Sequence, residues 1–341
     1  MLPVAEVQRL LIRAPNWLGD AVMALPALGA IRQAFAGRTI VLAALPSIAP
    51  IYEERTAAAP DEILIVDRAG EQAQLKSARA DGILLLTNSF GSAWRASRSG
   101  AGERWGYNAD FRGWMLTRGV RRPRGHVHQV QYYLELVRGL GLPVPAGLDA
   151  LPRIAPLPAT SEKAASLLAT SGVAVADTLV GFAPGAAYGH AKQWPPDRVV
   201  QVIAELSRRG VVSLLLGAGA DRNTGRAIES SLPAGARVVN LIGRTGLRQL
   251  VGVIARCAAF VSNDSGAMHV AAALGVPLTA IFGPTDERET APGGGADLIV
   301  RDVFCRPCML RECPIDHRCM KRIDAETVLR SVTTHLAGPR A

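Results

Sequence analysis

The sequence predicts an α/β protein built from two doubly wound domains, each a parallel sheet covered by helices. Three observations lead to this prediction. The chain has 341 residues, more than one ordinary core requires, and suits two domains of about 150 to 170 residues each. Short, nearly continuous apolar runs alternate with segments that suit helices, as is typical of strands buried on both faces of a sheet. The alternation stops at a proline-rich stretch near the middle of the chain and then resumes.

The apolar runs fall into two groups. Strands are predicted in the first half at LLIRAP, TIVLAAL, EILIVD and GILLLTN, and in the second half at TLVGFAP, VVSLLLG, ARVVNLIG, AAFVSND and VPLTAIFG. Between the groups, five prolines lie from Leu142 to Pro158, and we expect no regular structure there. We therefore predict a first domain over residues 1–158, ending in this linker, and a second over residues 159–341.

The composition is that of a soluble globular protein, with 49% hydrophobic and 20% charged residues. The net charge of +9 suggests a polyanionic partner, which can be nucleic acid, anionic lipid or a phosphorylated substrate. Nucleic acid is the weaker choice, because aromatic residues make up only 5% of the chain and do not alternate with basic ones. No apolar run approaches the roughly 18 residues that span a bilayer, and we expect a cytoplasmic protein.

Four of the five cysteines cluster in one short segment, CRPCMLRECPIDHRC. Cys257 is expected inside an apolar helix, as a small buried hydrophobe. Cys305, Cys308, Cys313 and Cys319 are expected as free thiols or as a metal clip, because the cytosol is reducing. Tetrahedral zinc ligation is chemically possible at their spacing, C-x2-C-x4-C-x5-C, and the choice stays open.

Ligands of doubly wound domains bind outside the carboxyl ends of the strands, so the residues after each strand are the candidates. In SNDSGAMHVAAALGVP, a strand end meets an alanine-rich helix whose free N–H groups and dipole favour an anion. Asp264 and Ser265 lie at this turn, Gly266 allows close approach, and His269 lies one turn further on the same side as Ser265. The alternative is that Asp264 or Ser265 only caps the helix.

A second candidate is the loop APGAAYGHAKQWPP, after the first strand of the second domain. Pro195 and Pro196 fix where the next helix begins. Lys192 suits a diphosphate, whose charge it neutralises as a bond to that group breaks. A single loop lysine is more often solvated surface, but we expect Lys192 to lie opposite the Asp264 turn of the same domain.

Two other strand ends in the second domain suit a nucleoside. LLLGAGADRNTGRAI has Gly217 and Gly219, but no third glycine at the dinucleotide-binding spacing. There Asp221 is expected either to accept hydrogen bonds from a ribose or to cap the helix. In NLIGRTGLRQLVGVIARC, backbone groups from Leu241 to Gly243 suit the edge of a purine.

The first domain contains an arginine-rich segment. Residues 95–124 include eight arginines, no lysine and only two acids. The guanidinium fork pairs bidentately with carboxylate and phosphate, so Arg95, Arg98, Arg121 and Arg122 are candidates for binding an acidic acceptor. The alternative is an ordinary solvated face.

The first predicted strand runs into RAPNWLGDAVMALPAL, which places a carboxylate where the next helix begins. Asp20 can cap this helix, or it can be a catalytic base at the carboxyl edge of the sheet. Asn16 and Trp17 then shape the loop, with contact to an acceptor as a further prediction.

Five motifs together carry a family resemblance: RAPNWLGDAVMALPAL, PGAAYGHAKQWP, LIGRTGLRQLVGVIARC, NDSGAMHVAAALGVPLTAIFGPTD and CRPCMLRECPIDHRCM. With them the chain resembles the lipopolysaccharide heptosyltransferases of glycosyltransferase family 9, most closely the heptosyltransferase II branch. The motifs span nearly the whole chain, and the first and fourth are specific. The resemblance implies the GT-B architecture, two Rossmann-like domains facing a cleft, with the acceptor in the N-terminal domain and the nucleotide-sugar donor in the C-terminal one.

The resemblance also implies a reaction, inverting transfer of heptose from ADP-L-glycero-β-D-manno-heptose to the inner core of lipopolysaccharide. It assigns Asp20 as general base and Lys192 to the donor diphosphate. The Asp264 to His269 turn binds the donor, for which Asp221, Leu241 and Gly243 are our further candidates. No metal or other cofactor is expected, and the sequence has no Asp-x-Asp pair to hold a metal–diphosphate complex.

The expected partners are the ADP-heptose donor, a phosphorylated Kdo/heptose inner-core lipid A acceptor, and the anionic inner face of the inner membrane as a peripheral contact. No nucleic acid is expected. One departure is that Ala186 and Ala187 stand where some relatives have hydroxyl residues, which puts more weight on Lys192. The alternatives are another nucleotide-sugar glycosyltransferase, a 2-epimerase of the same architecture, or a non-catalytic nucleotide-binding module.

Overall fold

Two parallel sheets of six strands form the framework of the chain. The structure is a computed structural model and describes residues 6–145 and 150–338. Each sheet belongs to its own compact unit, unit 1 being residues 1–155 and unit 2 residues 156–341. The prediction of two α/β sheets is therefore confirmed, and all nine predicted runs contain a strand. The observed division lies close to the predicted boundary after residue 158.

Unit 1 alternates strands and helices along the chain. Its strands are β1 (Arg9–Arg13), β2 (Thr39–Ala44), β3 (Arg55–Thr56), β4 (Glu62–Ile65), β5 (Gly82–Leu85), β6 (Glu103–Asn108), β7 (Arg118–Arg121) and β8 (Ile154–Ala155). Its helices are α1 (Leu18–Met23), α2 (Leu25–Ala34), α3 (Ala49–Glu53), α4 (Glu71–Ser77), α5 (Phe90–Ser97) and α6 (Gln129–Gly139). A short 3-10 turn covers Gly113–Met115.

The sheet of unit 1 has the order β4-β2-β1-β5-β6-β7. With the short β3 set aside, this is the doubly wound order in which the first strand lies at the centre and the winding reverses beside it. The reversal lies between β1 and β5, whose pairing includes Leu11 with Ile83. The loops after these two strands, which contain Asn16 to Asp20 and Asn88, are therefore where a ligand is expected.

Unit 2 repeats the same alternation. Its strands are β9 (Leu179–Ala183), β10 (Val212–Leu215), β11 (Val238–Asn240), β12 (Ala259–Asn263), β13 (Leu278–Phe282) and β14 (Asp297–Val300). Its helices are α7 (Pro158–Thr170), α8 (Pro196–Arg208), α9 (Arg222–Ser231), α10 (Leu247–Ala255), α11 (Gly266–Ala273), α12 (Glu287–Thr290), α13 (Arg318–Lys321) and α14 (Ala325–Ala337). Short 3-10 turns cover His190–Lys192 and Gly219–Asp221.

The sheet of unit 2 has the order β11-β10-β9-β12-β13-β14, with its reversal between β9 and β12. Its core is typical of a sheet covered by amphipathic helices. In α8, Val199, Val202, Ile203 and Leu206 are spaced one helical turn apart and are buried in the core. Pro196 at the first turn sets where α8 begins. The carboxyl ends of β9 and β12 then meet at one edge of the sheet.

The expectation that the whole proline-rich stretch lacks regular structure is wrong at its end. Ile154 and Ala155 form β8, which pairs antiparallel with β3, and helix α7 begins at Pro158. Proline is tolerated there because the first helical N–H needs no partner within the helix. Residues 143–145 and 150–153 lie in neither helix nor strand, and residues 146–149 are outside the described part of the chain.

Five strands escaped the sequence analysis: β3, β6, β7, β8 and β14. β6 reads ERWGYN and β7 reads RGVR, so neither is a continuous apolar run. β7 lies at the edge of its sheet, where a strand needs less apolar side chain. Within residues 6–145 and 150–338, none of the helices is long and apolar enough to cross a membrane.

Candidate active site

The loops after β9 and β12 bring together the two sequence-predicted ligand sites of unit 2. Lys192 Nζ lies 2.6 Å from Asp264 Oδ2, although the two residues are 72 positions apart. The side chains are only 13% and 6% exposed, so this ion pair is largely removed from water. Lys192 therefore lies opposite the Asp264 turn, as expected. It does not occupy an ordinary solvated position.

The start of α11 has no side-chain cap, an arrangement that suits an anion. Ser265 is the N-cap residue, and no side chain caps the helix, because the carboxylate of Asp264 is directed to Lys192. The Ser265 hydroxyl lies 3.1 Å from the hydroxyl of Ser262. Helix capping by Asp264 or Ser265, the alternative from sequence, is therefore not observed. His269 lies one turn into α11 and is buried.

Asn263 is a residue of this site that sequence reasoning missed. Its side chain is buried and donates from Nδ2 to the carbonyl oxygens of Pro184, at 2.8 Å, and Gly185, at 3.2 Å. Its Oδ1 accepts a hydrogen bond from the N–H of Trp194, at 3.2 Å. Asn263 is thus hydrogen-bonded to both ends of the loop that carries Lys192. The available signal was a polar side chain at the very end of an apolar strand.

The side chain of Asp221 packs against the loops that contain Gly185 and Gly217. A Cβ built on Gly185 would lie 2.2 Å from the Asp221 carboxyl carbon, and one on Gly217 would lie 2.9 Å from Oδ2. The same Oδ2 accepts a hydrogen bond from the N–H of Ala218, at 3.0 Å. Burial raises the pKa of Asp221, against the opposing effect of N–H groups of Ala218 and Ala186. Its side chain does not cap α9, and ribose binding stays a prediction.

The backbone N–H groups of Leu241 and Gly243, just after β11, donate to other backbone groups of the protein. The N–H of Leu241 donates to Leu215 O at 2.9 Å, and that of Gly243 donates to Gly217 O at 3.0 Å. The carbonyl of Gly243 accepts from Arg222 Nη2 at 2.8 Å. Contact of Leu241 and Gly243 with a base stays a prediction.

In unit 1, Asp20 is the third residue of α1 and is half-buried. The N-cap position is held by Trp17, whose side chain makes no capping hydrogen bond, and Asp20 lies in the first turn, where its charge favours the helix dipole. Two buried tyrosines lie close to it. Burial raises the pKa of both Tyr52 and Tyr133, and the charge of Asp20 raises it further. Trp17 is 58% exposed beside this carboxylate.

Asn16 and Arg95 are joined through the buried ion pair of Arg13 with Glu71, which the sequence did not reveal. Arg13 donates from Nη2 to Asn16 Oδ1 at 2.8 Å and from Nε to Glu71 Oε1 at 2.6 Å. Glu71 also forms an ion pair with Arg95, at 2.6 Å between Oε2 and Nε. Arg95 is therefore held by a carboxylate of its own unit, and its predicted role in binding an acceptor competes with this pair.

The arginines of residues 95–124 differ in their surroundings, and acceptor binding by Arg98, Arg121 and Arg122 stays a prediction. Arg112 is buried and donates to backbone oxygens, including that of Tyr107 at 2.9 Å. Burial lowers its pKa. Arg98 stacks on Trp94, with Cζ 4.0 Å from the ring centroid. Arg121 and Arg122, at the end of β7, are exposed.

The five cysteines are free thiols. Cys257 is buried as expected, but it follows α10 instead of lying within it. Burial raises the pKa of its thiol to about 12. The pKa of Cys319 is raised by burial and, to a smaller extent, by the thiols of Cys305, Cys313 and Cys308. Zinc ligation by these four stays a prediction.

These features define a two-domain α/β protein whose second sheet carries a lysine and a helix N-terminus suited to a phosphate. The family model of glycosyltransferase family 9 (heptosyltransferase) matches residues 71–318. The chain belongs to this family and is a glycosyltransferase.

Relatives of the whole chain carry a more specific name. Lipooligosaccharide heptosyltransferase 2 of Campylobacter jejuni subsp. jejuni serotype O:6 is 30% identical over 335 residues, 95% of this chain and 98% of the relative. Lipopolysaccharide heptosyltransferase 2 of Salmonella typhimurium is 30% identical over 296 residues, 83% and 85% of the two chains. The solved structure of E. coli ADP-heptose LPS heptosyltransferase II is similar with a TM-score of 0.81 and 26% identity, over 96% of this chain and 98% of that one.

Proposed function

We propose that this protein is a heptosyltransferase of type II, which moves heptose from ADP-L-glycero-β-D-manno-heptose to the inner core of lipopolysaccharide. The observation that carries the proposal is the buried contact of Lys192 with Asp264 at the start of α11, in a chain similar over nearly its full length to proteins of that name. A lysine and a helix N-terminus at the reversal of a doubly wound sheet suit a nucleoside diphosphate.

The proposed reaction inverts the anomeric centre and uses no metal. The acceptor hydroxyl oxygen attacks C1 of heptose as the bond from C1 to the diphosphate breaks. Asp20 accepts the hydroxyl proton, and the electron pair of the broken bond goes to ADP. Lys192 leaves Asp264 to pair with the diphosphate, whose growing charge is also stabilised by the N–H groups of α11. One negative charge thus passes from Asp20 to the diphosphate, where Lys192 and the helix N-terminus stabilise it.

The acceptor is proposed to be phosphorylated Kdo/heptose inner-core lipid A, bound by unit 1. Arg121 and Arg122 supply guanidinium groups at the carboxyl end of β7, and Arg98 supplies one at the end of α5. Arg95 can join them if the acceptor displaces Glu71. Asn16 and Trp17 are proposed to contact the acceptor sugars, and the exposure of Trp17 supports this role.

A peripheral contact with the anionic inner face of the inner membrane, from the cytoplasm, is part of the same proposal. Phe111 and Trp114 are 94% and 72% exposed on the loop between β6 and β7. Buried Arg112 anchors this loop, and Phe111 has a left-handed backbone with φ of 57°. Aromatic side chains beside the arginines of β7 suit a membrane interface, where rings enter the headgroup layer and cations meet anionic lipid.

The donor assignment is tested by measuring the binding of ADP-, UDP- and GDP-sugars to the purified protein. We expect a preference for the ADP-sugar, and a preference for UDP or GDP would remove the heptosyltransferase assignment. Release of ADP that depends on added inner-core acceptor separates transfer from 2-epimerisation, which needs no acceptor. A protein that binds ADP-heptose but never releases ADP with acceptor would instead be a non-catalytic nucleotide-binding module.

A further inference from the structure

The segment containing the four cysteines, residues 304–319, has no role in the proposed reaction. We call it the cysteine segment, and we call residues 184–194, which carry Lys192, the lysine loop. Apart from its last two residues, the cysteine segment contains neither helix nor strand. It is held to the loop after β13, where Arg306 donates from Nε to Gly283 O at 2.8 Å and the N–H of Cys308 donates to Pro284 O at 3.0 Å.

The cysteine segment binds both backbone groups of the residue before Lys192. The N–H of Ala191 donates to Arg311 O at 2.9 Å. The carbonyl oxygen of Ala191 lies 2.6 Å from His317 Nε2, so this ring nitrogen is the donor. Ala191 is itself buried. The backbone on which the Lys192 side chain stands is therefore fixed by residues more than a hundred positions away.

A second set of contacts holds the earlier part of the lysine loop. The hydroxyl of Tyr188 donates to Met309 O at 2.9 Å. Gly189 has a φ of 156°, and a Cβ built on it would lie 2.3 Å from Arg311 O. Glycine is required there because the two segments approach so closely. The ring of Tyr188 also contacts two cations, since Lys192 Nζ lies 4.9 Å and Arg311 Cζ 5.0 Å from its centroid.

The backbone of His317 has an uncommon conformation. Its backbone is left-handed, with φ of 59°, which is uncommon for a residue other than glycine. Its backbone N–H donates to Cys313 Sγ at 3.3 Å, which links the backbone of His317 to the cysteines of the segment. The ring therefore reaches Ala191 from a conformation that the surrounding segment must hold in place.

We propose that the cysteine segment positions the lysine loop for the donor diphosphate, and that His317 is its positioning residue. The inference rests on the proposed function, in which Lys192 leaves Asp264 for the diphosphate. When the Lys192 backbone is already ordered, binding requires only its side chain to move, so less conformational entropy is lost. His317 then acts through Lys192 and strengthens donor binding, with a smaller effect on the chemical step.

The test is the affinity for ADP of four variants, measured by calorimetry at one pH: His317→Ala, His317→Gln, Lys192→Ala and the double variant with both alanines. We expect His317→Ala to weaken ADP binding about tenfold, the effect of losing about one hydrogen bond. Glutamine places an N–H donor close to the position of Nε2 and should restore most of the affinity. Lys321→Ala, an exposed change on neighbouring α13, is the matched control and should bind ADP like the wild type.

The double variant separates positioning from a general structural role. If His317 acts through Lys192, its loss should cost little more once Lys192 is alanine, so the two effects are not additive. In steady-state transfer, His317→Ala should raise KM for the donor more than it lowers kcat. Additive effects in the double variant, or an unchanged affinity of His317→Ala, would overturn the proposal.

Two outcomes of this experiment require a further measurement. If His317→Ala does not fold, Tyr188→Phe carries the test, because it removes only the hydroxyl bound to Met309 O and keeps the ring beside Lys192. It should weaken ADP binding about threefold, and an unchanged affinity would overturn the proposal. If the wild type prefers UDP or GDP, the proposed function fails, and the same four variants tested with that nucleotide still decide the role of His317.

Discussion

Replacing Asn263 by alanine should loosen the lysine loop at both ends. The wild-type side chain makes three hydrogen bonds, two to carbonyl oxygens of residues 184 and 185 and one from the N–H of Trp194. Since Asn263 is only 2% exposed, water cannot replace these partners without opening the loop. Each bond contributes a net of about 1 kcal/mol, so the variant should lose about 3 kcal/mol of unfolding free energy.

This loss is measurable as a change in the thermal transition. For a unit of this size, about 3 kcal/mol corresponds to a Tm lower by about 6 to 12 °C. The affinity for ADP should fall as well, because the backbone of Lys192 is then less ordered. Both quantities are obtained from one preparation, by calorimetric melting and by titration with ADP.

Asn223→Ala provides the matched control in the same unit. Its side chain is exposed on α9, so its loss should cost less than about 1 kcal/mol. Asn263→Asp keeps the acceptor for Trp194 but loses both donors, and should be destabilised as well. A Tm and an ADP affinity of Asn263→Ala that both match the control would show that the loop is held by other contacts.

Four further predictions concern other parts of the molecule. Asp20→Ala should lower kcat by about 10² to 10⁴-fold with ADP affinity unchanged, and a near wild-type transfer rate would exclude Asp20 as the base. Because burial raises the pKa of Asp221, this carboxyl stabilises the folded state most below its unfolded pKa of about 3.9, and that contribution is lost as pH rises through the higher folded pKa. Asp221→Asn should therefore flatten the Tm against pH over this range, and an unchanged profile contradicts the assignment. Cys257, with a thiol pKa of about 12, should resist iodoacetamide at pH 8 while the half-buried thiols of the cysteine segment react, as peptide mass spectrometry would reveal. Phe111→Ser with Trp114→Ser should reduce co-sedimentation with phosphatidylglycerol vesicles, Val175→Ser being the exposed control, and equal binding of all three proteins would argue against this membrane surface.

The sequence alone predicted which apolar runs form strands and that helices lie between them, because both are local patterns. It also predicted Lys192, Asp264 and Asp20 as site residues, since each follows a recognisable strand and the carboxyl ends of parallel strands are where ligands bind. The short strands at sheet edges were missed, as in β7, because their side chains do not form an apolar run.

Only the tertiary structure decided how these residues are paired. The contact of Lys192 with Asp264 and the hold of Asn263 on the lysine loop join segments about 70 to 80 positions apart. Glu71 likewise joins Arg13 with Arg95, and His317 contacts Ala191 from 126 positions away. A sequence pattern reports the burial of each residue along its own strand or helix. Which buried polar group satisfies which other is settled only when the sheets bring distant loops to one edge.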